Sequence, residues 1–168
     1  MDDEFRKQKN TIYQLYAVFV FVIAGSFVPS MTVQFLSLVL FLVLVIAVPV
    51  YKMAAPKGSF LEDHMRYLNG TIWLGSLFLT IGIVIMGWWL YRESDQSAFT
   101  ALFDQAGQGM MPDEQSFHAS IAQYMRDNAG LLLKTGVICL GPPMLYITVR
   151  ILRALGRAKD GYRIGSIY

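Results

Sequence analysis

Four long apolar stretches, joined by polar links, constrain this chain more than any other feature of its sequence. They cover residues 12–29, 32–51, 70–91 and 131–149. Each is long enough to cross about 30 Å of hydrocarbon as a helix that rises about 1.5 Å per residue. Only helices and closed barrels satisfy their backbone polar groups in lipid. The stretches therefore predict an all-α integral membrane protein with four transmembrane helices, forming one domain over residues 1–168.

Lysine and arginine are distributed unevenly among the links. Of the 14 basic residues, eleven lie before the first stretch, between the second and third, or after the fourth. The segment 92–130 holds only Arg92 and Arg126, and Lys134 lies inside the fourth stretch. Basic residues near span ends stay in the cytoplasm. We therefore expect a bacterial inner-membrane protein with both termini cytoplasmic, segment 92–130 facing outward, and inner basic residues that contact anionic lipid headgroups rather than nucleic acid.

The outward segment 92–130 contains apolar residues at helical spacing in two places, which predicts two short amphipathic helices. Gly107 is a suitable stop for the first, and Asp113 with Glu114 a suitable start for the second. The candidate docking residues on the two apolar faces are Phe99, Leu102, Phe103, Phe117, Ile121 and Tyr124. Three interpretations are open: a cap over the protein's own helices, a docking surface for another membrane subunit, or contact with lipid.

The third stretch places three small residues, Thr71, Gly75 and Gly82, near one helix face. Small residues at this spacing let helices approach closely in lipid, so they predict a packing seam within the protein or toward a partner. Just upstream, Ser59 and Glu62 have the spacing of a capping box. We expect a helix that starts there and runs into the membrane.

The fourth stretch contains Gly141-Pro142-Pro143, which predicts a bend because two successive prolines remove two backbone donors. The bend fits either helix packing or a gate beside a wet cavity. Lys134 is the only full charge inside any stretch. It can extend to the outer boundary, pair with an acidic neighbour, or line a path through the membrane.

Beyond the fourth stretch, basic residues recur at helical spacing. Arg150, Arg153 and Arg157 form a stripe on one helix face. Such a stripe beside a membrane predicts contact with lipid phosphates, the alternative being a protein partner.

Several kinds of reactive site are missing from the sequence. No Asp or Glu occurs in any stretch, and the only histidines, His64 and His118, fall on opposite sides of the predicted membrane. This excludes a haem held by two histidines, a histidine-based zinc site and a carboxylate proton relay. Cys139 is the only cysteine, so no internal disulfide forms. We therefore expect no cofactor, no metal and no catalysis, and we interpret residues 62–64 (Glu-Asp-His) as a solvated interfacial cluster.

Several short motifs are shared with a known group of membrane proteins. The motifs are Ile12-Tyr13-x-Leu15-Tyr16, Tyr51-Lys52, His64-x-Arg66, Thr71-x-Trp73-x-Gly75 and Arg150-x-x-Arg153-Ala154-Leu155. With them the chain resembles a domain-of-unknown-function family of small proteobacterial multi-pass membrane proteins, distantly linked to a chloroplast envelope import component. The resemblance implies structural importance for His64, Arg66, Thr71 and Trp73 and supplies no activity. Segment 92–130 departs from it, since the family has a tight turn there.

Two functional hypotheses follow. The first is a non-catalytic accessory or structural subunit of a larger inner-membrane assembly, docking partners through the outward segment and the small-residue helix faces. The second is a small channel or translocation component in which the bend at Gly141-Pro142-Pro143 and Lys134 line the path.

Overall fold

A computed structural model describes residues 3–109 and 113–164, and all the regular structure in these ranges is helical. The six helices are α1 (Asp3–Ser26), α2 (Met31–Ala54), α3 (Phe60–Glu93), α4 (Ser97–Gly107), α5 (Glu114–Asp127) and α6 (Ala129–Asp160). The predicted all-α fold class is confirmed. Both short helices expected in segment 92–130 are present, as α4 and α5.

Three helices, α2, α3 and α6, are long and apolar enough to cross a membrane. They contain the predicted stretches 32–51, 70–91 and 131–149, so the chain is a helical membrane protein by length and composition. The helix α1 is not among the three, because Lys9, Asn10 and Gln14 interrupt its apolar character. Its crossing of the membrane, and the orientation of the whole chain, stay predictions.

The long helices extend well beyond the stretches that the apolar pattern marks. The helix α3 begins at Phe60, where the Ser59 hydroxyl accepts a hydrogen bond from the Glu62 N–H at 3.1 Å. The Glu62 carboxylate in turn accepts from the Gly58 N–H. Because these bonds satisfy backbone donors at the helix start, α3 begins at the predicted cap and runs without a break into the third stretch.

The chain divides into two compact units, and the boundary passes through both α3 and α6. The first unit comprises Met1–Leu77 and Leu145–Tyr168, and the second comprises Phe78–Met144.

In the first unit, α1 packs against α2 through one face. Its buried residues Ile12, Tyr16, Phe19 and Val22 recur every three or four positions, as expected of a helix that buries one side. Near the end of α1, Gly25 lies directly against Ser37 of α2, and a Cβ at Gly25 would overlap the Ser37 hydroxyl. The close approach of the two helices therefore requires glycine at this position.

In the second unit, α4 packs against α5. The residues Ala98 and Leu102, one helical turn apart on α4, are buried. No residue of α5 is buried. This helix is therefore held by α4 on one side only.

Candidate functional site

The residues predicted for docking fall into an inner and an outer group on α4 and α5. The rings of Phe99 and Tyr124 face each other with their centroids 5.2 Å apart, so they hold the two helices together. Leu102 is 7% exposed. Its place on a docking surface is therefore corrected: it shares the buried face of α4 with Ala98, so no partner can reach it.

The outer group is exposed. Phe103 on α4 is 68% exposed, and on α5 the values are 49% for Phe117 and 36% for Ile121. Met125, one turn beyond Ile121, extends the same row and is 53% exposed. Its i+4 spacing is the sequence signal that adds it to the set. We call Phe117, Ile121 and Met125 the apolar face of α5.

Polar contacts fix the ends of the α4–α5 pair. Asn128 is buried, and its side-chain amide makes three hydrogen bonds. The amide oxygen accepts from the Asp95 N–H at 2.8 Å. The amide nitrogen donates to the Asp95 carbonyl at 2.9 Å and to the Tyr124 carbonyl at 3.0 Å. At the start of α5, the Asp113 carboxylate accepts from the backbone N–H and the hydroxyl of Ser116. These bonds hold the apolar face of α5 in a defined position.

The three small residues of α3 all lie against α6. In the first unit, Thr71 is buried and a Cβ at Gly75 would lie 2.8 Å from the Ile147 side chain. In the second unit, a Cβ at Gly82 would overlap the backbone carbonyl of Cys139. Contact of this kind lets the two backbones approach closely, which makes the seam internal to the protein in both units.

The proline pair and Lys134 both belong to the part of α6 in the second unit. The helix includes Gly141, Pro142 and Pro143 without interruption. The ammonium of Lys134, which is exposed, lies 5.4 Å from the centroid of the Trp89 ring. The Trp89 indole N–H donates to the Glu93 carboxylate at 2.8 Å. A cation above an indole at the predicted outer boundary matches a side chain that extends toward the headgroups.

The three arginines of the stripe differ in their exposure and in their contacts with the protein. Arg153 is exposed. Arg157 donates to the Arg163 carbonyl at 3.1 Å. Arg150 is half-buried, and its guanidinium donates to the Thr71 hydroxyl at 2.8 Å and to the Tyr67 carbonyl at 3.3 Å. The side chain of Arg150 is therefore held by the protein itself.

The interpretation of residues 62–64 as solvated is wrong for His64, which is fully buried. Its ring packs edge-on against Phe60 and Tyr16, and its Nε2 lies 3.4 Å from the Tyr162 carbonyl. Asp63 forms an ion pair with Arg163. Residues 162 and 163, near the C-terminus, thus cover this cluster. The residues that meet are 98 to 100 positions apart in the chain, so the local sequence pattern does not predict their contact.

No set of three His, Cys, Asp or Glu side chains within residues 3–109 and 113–164 could hold a metal ion. Two carboxylates of the α4–α5 region act as caps: Asp95 accepts from the Ser97 N–H, and Asp113 accepts from Ser116. Hydrogen bonds from Ser97 lower the pKa of the Asp95 carboxyl, and hydrogen bonds from Ser116 lower that of Asp113. The α4–α5 pair therefore combines capped ends with the exposed apolar face of α5.

No protein-family model matches the chain, and neither a curated protein nor a solved structure is significantly similar to it. The resemblance carried by the short motifs therefore stays a prediction.

Proposed function

We propose that this protein is a non-catalytic accessory subunit of a larger assembly in the bacterial inner membrane, and that α4 and α5 dock a partner subunit on its outward side. The observation that carries the proposal is the uncovered state of the apolar face of α5. A helix whose apolar side chains recur at helical spacing gains little by folding in water unless that face is covered.

The chemistry of the surface indicates what kind of partner it fits. The apolar face of α5 is bordered by charged residues such as Glu114 and Arg126, both exposed. An apolar strip with a polar rim is typical of protein–protein interfaces. Because α5 lies close in the chain to the predicted outer membrane boundary, a helix of another membrane subunit is the partner that matches it best.

Site-specific photo-crosslinking in intact cells tests the proposal. A photoreactive residue at position 117 should give an adduct with one discrete membrane protein. The matched control is position 123, where Gln123 is exposed on the opposite side of α5. Phe117→Ser together with Ile121→Ser should convert the complex seen in mild detergent to the free protein, while Gln123→Ser should leave it intact.

Three outcomes would refute the proposal. Equal crosslinking at positions 117 and 123 would mean that the apolar face has no special role. Adducts with lipid alone at position 117 would make α5 a helix that lies on the membrane surface. A monodisperse, partner-free protein in mild detergent would leave no complex to explain.

A further inference from the structure

The first unit contains a half-buried arginine, Arg150, that has no acidic partner in the part of the chain that the structure describes. Among the described residues, the three ion pairs involve Arg66, His118 and Arg163, and none involves Arg150. Its hydrogen bonds go to neutral acceptors, the Thr71 hydroxyl and the Tyr67 carbonyl. Removing a charge from water is costly unless an opposite charge compensates it. Within residues 3–109 and 113–164, the charge of Arg150 therefore has no counter-ion.

Aromatic rings fix the orientation of this guanidinium. It lies 3.9 Å from the centroid of the Tyr67 ring and 5.5 Å from that of Tyr146. Stacking on aromatic faces and two hydrogen bonds to the protein leave little freedom to the side chain. A planar guanidinium held in this way is suited to bind the oxygens of a phosphate group, because little rotational entropy is lost on binding.

The residues around this guanidinium are partly exposed. Gly70 lies beside it, and a Cβ at Gly70 would be 3.8 Å from the Arg150 guanidinium, an ordinary van der Waals contact. Tyr67, Gly70 and Tyr146 are each only half-buried, so the site is open on one side. The hydroxyl of Tyr16 is buried and has no hydrogen-bond partner among the described residues.

We propose that Arg150, held by Thr71 and Tyr67, binds the phosphodiester of one anionic phospholipid between α3 and α6. The site directly follows the predicted inner end of the fourth stretch, at residue 149, where lipid phosphates are abundant. Basic pockets between helices on the cytoplasmic side are suited to anionic headgroups. Arg153, exposed and without this support, supplies only general attraction to the surface.

Native mass spectrometry of the detergent-solubilised full chain, titrated with dioleoyl-phosphatidylglycerol, tests this site. One lipid per chain should bind more tightly than dioleoyl-phosphatidylcholine. Arg150→Gln should weaken that first binding event by about 10- to 100-fold, the range for a lost charged hydrogen bond. Arg153→Gln, the matched control, should weaken it by at most about fivefold, as expected for a surface cation.

A second pair of variants leaves the charge in place. Thr71→Val removes the oxygen that accepts from Arg150 and should weaken lipid binding, whereas Thr71→Ser retains that oxygen and should restore it. This pair decides the question even if Arg150→Gln fails to fold. Equal losses for Arg150→Gln and Arg153→Gln would overturn the proposal, and so would equal binding of the two lipids. Displacement of the lipid by inorganic phosphate would assign the site to the free anion instead.

Discussion

Asn128 joins the link between α3 and α4 to the junction of α5 and α6. Its buried amide makes three hydrogen bonds, two of them to the backbone of Asp95. In Asn128→Ala the N–H and carbonyl of Asp95 lose these two bonds, each of which contributes about 0.5–1.5 kcal/mol net. We expect the Asp95 amide to exchange with solvent at least about tenfold faster, measured by hydrogen exchange of the folded protein.

Gln123→Ala is the matched control for Asn128→Ala, because Gln123 is exposed on the neighbouring helix. It should leave exchange at Asp95 unchanged. If Asn128→Ala also leaves that exchange rate unchanged, the two links are held by something other than this side chain.

Individual residues also mark the limit of inference from sequence. The spacing of Arg150, Arg153 and Arg157 predicts a stripe, and the three do share one helix. Of the three, only Arg150 donates hydrogen bonds to Thr71 and Tyr67, which lie far away in the chain. The periodicity of the arginines does not predict this contact. For the same reason His64 looks solvated in the sequence, although Tyr162 and two aromatic rings enclose it in the structure.

At the scale of elements, the start of α5 should depend on pH. The ordinary pKa of an aspartate is 3.8, and the hydrogen bonds from Ser116 lower that of Asp113 in the folded protein. A lowered pKa means that the charged cap stabilises the helix at all pH values above the unfolded pKa. This contribution is lost as the pH falls through the folded value. The Ser116 amide signal should therefore titrate with a midpoint below 3.8.

Asp113→Asn separates capping from titration. Asparagine caps helices about as well as aspartate but has no proton to gain. In this variant the Ser116 amide signal should not move over the same acid range, as followed by NMR of the protein in micelles. A titration that persists in Asp113→Asn would assign the pH dependence to another group.

The elements themselves were largely predictable, because periodicity and caps are local. The Ser59–Glu62 box predicts where α3 begins, and Gly107 and Asp113 predict where α4 ends and α5 starts. The apolar stretches underestimate the lengths of α3 and α6, because both helices continue into polar residues beyond the predicted spans. The burial of Leu102 was not predictable, because a single apolar face does not reveal which of its residues meets the neighbouring helix.

At the scale of the whole molecule, the location of the N-terminus distinguishes three spans from four. If only α2, α3 and α6 cross, the two termini lie on opposite sides of the membrane. If α1 also crosses, the two termini lie on the same side, which the basic residues predict to be the cytoplasm. The tight packing of α1 on α2 at Gly25 and Ser37 favours the second arrangement. So does the cost of moving the basic residues Arg6, Lys7 and Lys9 outward.

Reporter fusions measure this directly. Green fluorescent protein should fluoresce at either terminus, because it folds in the cytoplasm, while alkaline phosphatase inserted after Gly109 should be active outside. Replacing Arg6, Lys7 and Lys9 together by Gln should weaken the retention of the N-terminus, whereas replacing the exposed Gln14 by Asn should not. A dark N-terminal fusion beside a fluorescent C-terminal one would leave α1 on the outer side. The uneven distribution of basic residues would then have predicted the wrong side of the membrane for the N-terminus.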